Sequence, residues 1–110
     1  MYHYKAKILR VVDGDTVDAI VDLGCHVQIT ERLRLLGVDA PEKRKPTKEA
    51  GDAATDYLRE LIEGKQVAIK TELDKSGKYG RLLATIYLDD GKNVNDLMVT
   101  SGHAVYRDYK

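Results

Sequence analysis

Three short segments of this sequence gather the residue types that phosphate chemistry requires: residues 12–16 (VDGDT), 33–42 (LRLLGVDAPE) and 78–81 (KYGR). Taken singly each is ordinary, a turn, a strand running into a loop, and a polar hairpin. Taken together they supply a cation site and an anion grip. Asp15 and Asp39 each end or follow an expected strand, where adjacent strands can bring two carboxylates onto one hard cation. Such an ion takes carboxylate, carbonyl and water oxygens. Pro41 disfavours the helical conformation at the residue before it, so Ala40 is expected to be extended, with its carbonyl available to the same ion. Glu42 lies one step further on, where a carboxylate can polarise a metal-bound water. Arg34 and Arg81 come from different strands, and guanidinium groups match phosphate oxygens bidentately. A hard cation, a carboxylate base and two arginines are the parts needed to attack a phosphodiester and stabilise its growing negative charge. If both arginine heads face a solvent-filled cleft, replacing them is expected to change stability little.

Positioning such a set requires a folded scaffold, and 110 residues suffice for one domain, expected over 1–110. The composition, 43% apolar and 33% charged, excludes a disordered chain. No stretch of 18 apolar residues occurs, so no helix is expected to span a bilayer and no membrane partner is expected. Phe and Trp are absent, so the core must be built from Leu, Ile, Val and Ala, with the seven tyrosines at its edges. Cys25 stands alone, which excludes an internal disulfide, and Cys25-His26 lacks the paired spacing of a structural zinc motif. Residues 1–7 lack the apolar segment of a signal peptide. The sequence as written is therefore expected in the cytoplasm, and outside the cell if an export signal has been removed.

The pattern along the chain predicts the elements. Residues 2–12 read as a strand, 13–15 as a turn, and 16–23 as a second strand with Val17, Ala19, Val21 and Leu23 on one face. Residues 26–36 give a third strand and 37–46 a loop. Ala50, Ala53, Ala54, Tyr57, Leu58, Leu61 and Ile62 then form a stripe of helical period, with Thr47 as N-cap and Gly64 at the C-terminal end. Strands over 67–73 and 82–88 follow. Asn93 can cap a short helix carrying Val94, Leu97 and Met98, which Gly102 ends before an extended tail at 104–106. A mainly β chain with this order fits a five-stranded Greek-key barrel of the OB type, with one helix between strands three and four and a short C-terminal helix.

The same three segments, in this order and spacing, resemble the staphylococcal nuclease (thermonuclease) family from about Lys5 to Gly102, and the helix stripe and residues 94–102 match it too. The resemblance implies an OB barrel, calcium as cofactor, and cleavage of DNA and RNA with little sequence specificity to leave 3′-phosphate ends. It implies Asp15 and Asp39 as calcium ligands with the Ala40 carbonyl as a third. Glu42 becomes general base or water orienter, reaching the metal through water, and Arg34 and Arg81 hold the scissile phosphate. Lys78 and Tyr79 help to place a terminal phosphate, and Tyr106 or Tyr109 stands for the tyrosine that stacks on substrate. Two departures carry expectations of their own. Ala40 stands where the family often has Thr, which removes hydroxyl hydrogen bonds near the metal and predicts weaker metal binding. The family's C-terminal helix has no matching segment in this sequence.

Eighteen basic and eighteen acidic residues cancel, so attraction to a polyanion must come from local clusters. Lys43, Arg44, Lys45 and Lys48 follow Glu42, and Lys75, Lys78 and Arg81 crowd the hairpin, while acids populate the helix and the Asp89-Asp90 turn. The expected partner is DNA or RNA, single-stranded or denatured, bound by a monomer. The alternative is a non-catalytic OB module that binds single strands or a protein. Base stacking on such a platform needs sheet-face aromatics, and few tyrosines fall mid-strand. An EF-hand loop over 74–85 fails because Lys78 takes the fifth ligand position and the glycine after it is missing.

Overall fold

The computed structural model describes residues 2–43, 46–73 and 82–107. Three strands, β1 (Tyr2–Asp13), β2 (Thr16–Gly24) and β3 (Val27–Leu35), form an antiparallel meander. The alternation in β2 turns Val17, Ala19 and Val21 into the core. Leu23 keeps that phase but is 41% exposed, because the end of the β2–β3 hairpin runs past the core. The same overhang leaves Val27–Arg32 exposed and buries only the last three residues of β3. That strand begins at Val27 because Cys25 and His26 both take positive φ in the turn.

The chain closes into a barrel through β5 (Gln66–Leu73) and β6 (Leu82–Tyr87), in the order β1-β2-β3-β6-β5. Leu33–Leu35 pairs parallel with β6, and β5 pairs antiparallel with both β6 and β1. Register shifts in β1 after Ile8 and after Val11 let that strand bend between its two neighbours. This closed five-stranded barrel with two helices is the expected OB-fold. Its interior is filled by Ile8, Leu33, Leu35, Leu58, Ile62, Ile69, Ile86 and Met98, each worth about 1.5–3 kcal/mol when fully buried.

The segment expected as a plain loop holds a two-residue strand, β4 (Val38–Asp39), which pairs antiparallel with β7 (Val105–Tyr106). Neither strand is long enough to leave a periodic signal. Only the return of the chain tail brings them together.

Helix α1 (Lys48–Ile62) buries Gly51, Ala54, Thr55, Leu58 and Ile62. The expected stripe is therefore rotated: Ala50 and Ala53 are exposed, and Gly51 and Thr55 replace them. Thr55 tolerates burial because its hydroxyl donates to the Gly51 carbonyl at 2.8 Å. Thr47 occupies the N-cap position without capping through its side chain, and its hydroxyl donates instead to the Glu42 carbonyl at 2.8 Å. Gly64, at φ +77°, turns the chain after the helix, as expected.

Helix α2 (Val94–Thr100) is capped by Asn93, whose side chain accepts from the Asp96 N–H. Leu97, expected on the apolar face, is only half-buried, and Asn95 takes the buried position. Asn95 Oδ1 accepts from the Ile86 N–H, and its Nδ2 donates to the Leu36 and Ala84 carbonyls. One amide thus ties α2 to β6 and to the chain leaving β3.

Candidate active site

Arg34 is the centre of the site. It sits on β3 between the buried Leu33 and Leu35 and is itself only 8% exposed. A buried guanidinium must find partners for its N–H groups. Its Nη1 donates to the Leu35 and Val38 carbonyls at 3.0 and 2.8 Å. Its Nη2 donates to Asp39 Oδ1 at 2.9 Å and lies 3.4 Å from Asp15 Oδ2. Arg34 lines the cleft but meets little solvent. It is fastened to backbone on one side and to two carboxylates on the other, so the condition for its replacement to leave stability unchanged is not met.

Asp15 is fixed as firmly. It lies in the β1–β2 turn, where its own carbonyl accepts from the Leu35 N–H at 2.8 Å. Its Oδ1 accepts from the Thr16 hydroxyl, and its Oδ2 accepts from the Ala40 N–H, each at 3.0 Å. Asp39 ends β4 and is more open, with its side chain 42% exposed. A cleft of about 300 Å³ joins Asp15, Arg34, Asp39 and Ala40, and takes in Asp13, Thr16, Pro41 and Glu42 at its wall. Asp15, Arg34, Asp39, Ala40 and Glu42, five residues spread over as many as 27 sequence positions, share one cavity.

Small residues let the supporting segments meet. A Cβ on Gly14 would stand 2.7 Å from Ala54 Cβ and 2.8 Å from Ala40 Cβ, so the β1–β2 turn, the loop and α1 touch at that point. A Cβ on Gly51 would stand 2.4 Å from the Glu42 carbonyl oxygen. Helix α1 therefore supports the backbone beneath Glu42, whose side chain is left exposed.

The donor set suits a hard cation. Asp13, Asp15, Asp39 and Glu42 line the cleft, all with carboxylate oxygens and without Cys or His. The guanidinium nitrogen lodged between Asp15 and Asp39 marks where these two carboxylates draw positive charge. Among the described residues no group of three or more His, Cys, Asp or Glu side chains is placed to hold a metal ion by itself. Water and substrate oxygens would have to complete the shell.

Other expected residues stand apart. Tyr106 lies on β7, 63% exposed, and its hydroxyl donates to Asp96 Oδ1 at 3.2 Å rather than lining the cleft. Lys78, Tyr79, Arg81 and Tyr109 lie outside the described residues, as do Arg44, Lys45 and Lys75. Lys48 belongs to its own helix, with its ammonium 2.8 Å from Asp52 Oδ2, a contact that raises its pKa. Sequence reasoning missed Arg107. It lines the cleft and places Nη1 3.5 Å from Asp39 Oδ2, across 68 sequence positions. A basic residue next to a short extended tail was the available signal, but nothing local says which segment that tail will pair with.

With this geometry established, comparison with known proteins decides the family. A family model described as staphylococcal nuclease homologue matches residues 32–110, the span that carries Arg34, Asp39, Ala40 and Glu42. The chain belongs to the staphylococcal nuclease family. Among the relatives of this family member is an uncharacterized endonuclease of Escherichia coli O157:H7, 39% identical over 104 residues, covering 94% of this chain and 61% of that protein. A thermonuclease of Staphylococcus intermedius is 36% identical over 86 residues, covering 76% of this chain and 48% of the relative. Endonuclease YhcR of Bacillus subtilis (strain 168) is 34% identical over 110 residues, which cover 92% of this chain and only 9% of that much longer protein. The chain thus spans about three-fifths or less of these curated relatives.

Proposed function

We propose that this member of the staphylococcal nuclease family is a calcium-dependent nuclease that hydrolyses DNA and RNA with little sequence specificity and leaves 3′-phosphate ends. The observation that carries the reading is Arg34 Nη2 held between Asp15 and Asp39 in a cleft that also presents Glu42. Relatives named endonuclease and thermonuclease support it.

Asp15, Asp39 and the Ala40 carbonyl would hold the calcium ion, which when bound supplies Lewis acidity toward a phosphoryl oxygen. Glu42, exposed at the cleft wall, takes a proton from the attacking water as that water's oxygen bonds to phosphorus. The P–O5′ bond breaks, the 5′-oxygen leaves and takes a proton from solvent, to which Glu42 later returns its own, and the phosphate stays on the 3′-oxygen. Arg34 meets the charge that grows on the non-bridging oxygens, and its backbone anchors at Leu35 and Val38 hold it ready without reorganisation. Arg81 is assigned to the same scissile phosphate as Arg34, and Lys78 and Tyr79 to a terminal phosphate. Tyr106 and Tyr109 are the tyrosines available to stack on a base. A substrate strand must bring a phosphate down to a recessed arginine, which favours denatured or single-stranded nucleic acid.

The test is degradation of denatured DNA by purified protein with calcium, with magnesium, and with EDTA, followed by end-group analysis. Calcium-dependent cleavage to 3′-phosphates is expected. Binding of single strands without cleavage under any metal would identify a non-catalytic module instead.

A further inference from the structure

Arg107 lies in the cleft without a role in that reading, and its position is unusual. The two oxygens of Asp39 face two different guanidinium groups: Oδ1 is 2.9 Å from Arg34 Nη2, and Oδ2 is 3.5 Å from Arg107 Nη1. The two arginines are held differently. Arg34 has a side chain only 9% exposed and bonded to two backbone carbonyls, so its head is fixed. Arg107 has a side chain 58% exposed, and its approach to Asp39 is a long contact between solvent-facing charges. Contacts of that kind contribute little to stability and exchange readily. Its backbone, by contrast, is fixed, because its N–H donates to the Gly37 carbonyl at 2.8 Å beside the β4–β7 pairing.

We infer that Arg107 couples cation binding to substrate binding: it neutralises Asp39 while no cation is bound, and turns to the substrate phosphate once a cation takes Asp39. This rests on the reading of the cleft as a calcium-dependent nuclease site. The physical reason is that a guanidinium and a divalent ion compete for the same carboxylate oxygen, and the ion repels the guanidinium at close range. A phosphate arriving beside the ion attracts the displaced cation. The two ligands then favour each other, and such coupling is reciprocal.

Calorimetric titration of wild type, Arg107→Gln and Arg107→Lys with calcium and with a nucleoside 3′,5′-bisphosphate tests this, with melting curves as a check on folding. The β4–β7 clasp uses backbone groups and survives in each variant. Arg107→Gln should bind calcium alone about two- to five-fold more tightly, since a surface competitor is gone. It should bind the bisphosphate in calcium about tenfold more weakly, the loss of a charge-assisted contact. The factor by which the bisphosphate tightens calcium should fall accordingly, and Arg107→Lys should restore part of it. Calcium affinity that is unchanged or weaker in Arg107→Gln, or bisphosphate affinity that is unchanged, overturns the inference, and a lowered melting temperature with both affinities weakened assigns Arg107 a structural role. Wild-type protein that takes up no calcium overturns the calcium reading itself, and this inference with it.

Discussion

Gly51 and Glu42 are in backbone contact: a Cβ at Gly51 would stand 2.4 Å from the Glu42 carbonyl oxygen and 2.6 Å from its carbonyl carbon. The Thr47 hydroxyl bonds that same oxygen, so the loop under Glu42 is held by the first turn of α1 from two sides. A glycine in a helix ordinarily weakens it by about 1 kcal/mol relative to alanine. Here the missing side chain makes room for the loop.

Gly51→Ala is therefore expected to act on the site and on the fold together. The added Cβ meets backbone atoms of Glu42 and Lys43 at 2.4–2.8 Å, which no side-chain rotation can relieve. An overpacking cost of about 1–3 kcal/mol or more therefore outweighs the gain in helix propensity, and the melting temperature should fall. Glu42 must shift, and a displaced base costs on the order of 10–100-fold in kcat. Kinetics and melting of the same preparation check both halves. A variant of full activity would show that the loop position is immaterial.

Replacing Arg34 should cost stability as well as rate, because the residue is buried. Arg34→Gln leaves Asp15 and Asp39 without their shared cation and leaves two backbone carbonyls short of a donor. Breaking a fully buried pair costs about 3–5 kcal/mol; with Asp39 42% exposed the loss here should fall below that range, while losing a preorganised donor costs about 10²–10³ in kcat. Urea unfolding, with activity normalised to the folded fraction, separates the two effects. Stability equal to wild type would contradict the anchoring described here.

Glu42→Gln offers the contrasting case. The side chain is exposed, and the hydrogen bond and packing that fix its segment go through its backbone. Folding and calcium uptake should persist while hydrolysis of denatured DNA falls by about 10²–10⁴, the usual contribution of a general base. Undiminished turnover would remove Glu42 from the mechanism.

Acid should loosen the seat of α1 on the barrel through Glu63. The Val11 N–H donates to Glu63 Oε2 at 3.0 Å, and this bond, aided by Arg59, holds the carboxyl below its ordinary value of 4.5. A carboxylate whose pKa is lowered by folding stabilises the folded state fully above the unfolded value, and that contribution is lost as pH falls through the lowered one. Wild type should therefore melt higher than Glu63→Gln near neutrality, and the two curves should converge below about pH 4. A gap that is constant from neutrality to pH 3 would rule out the titration of Glu63 as its source.

The sequence by itself determined what can be read over a few residues. Alternation at Val17, Ala19 and Val21 made β2 and chose its inner face, Asn93 set the start of α2, and Gly64 allowed the turn after α1. The chemical types at Asp15, Arg34, Asp39 and Glu42 were equally legible, since carboxylates and guanidinium groups near expected strand ends announce their chemistry wherever the strands go. Tertiary structure alone decided the rest. The apolar stripe of α1 pointed to Ala50 and Ala53, yet the buried positions are Gly51 and Thr55, because contact with the Glu42 loop, rather than hydrophobicity, selects that face. Arg34 reads as a solvated strand charge until Asp15, Val38 and Asp39 fold over it. Arg107 reaches Asp39 only because β7 pairs with β4, and a two-residue pairing between distant segments has no period to read. Local pattern reports what a side chain prefers to bury, whereas contact between distant segments is set by closure of the whole barrel.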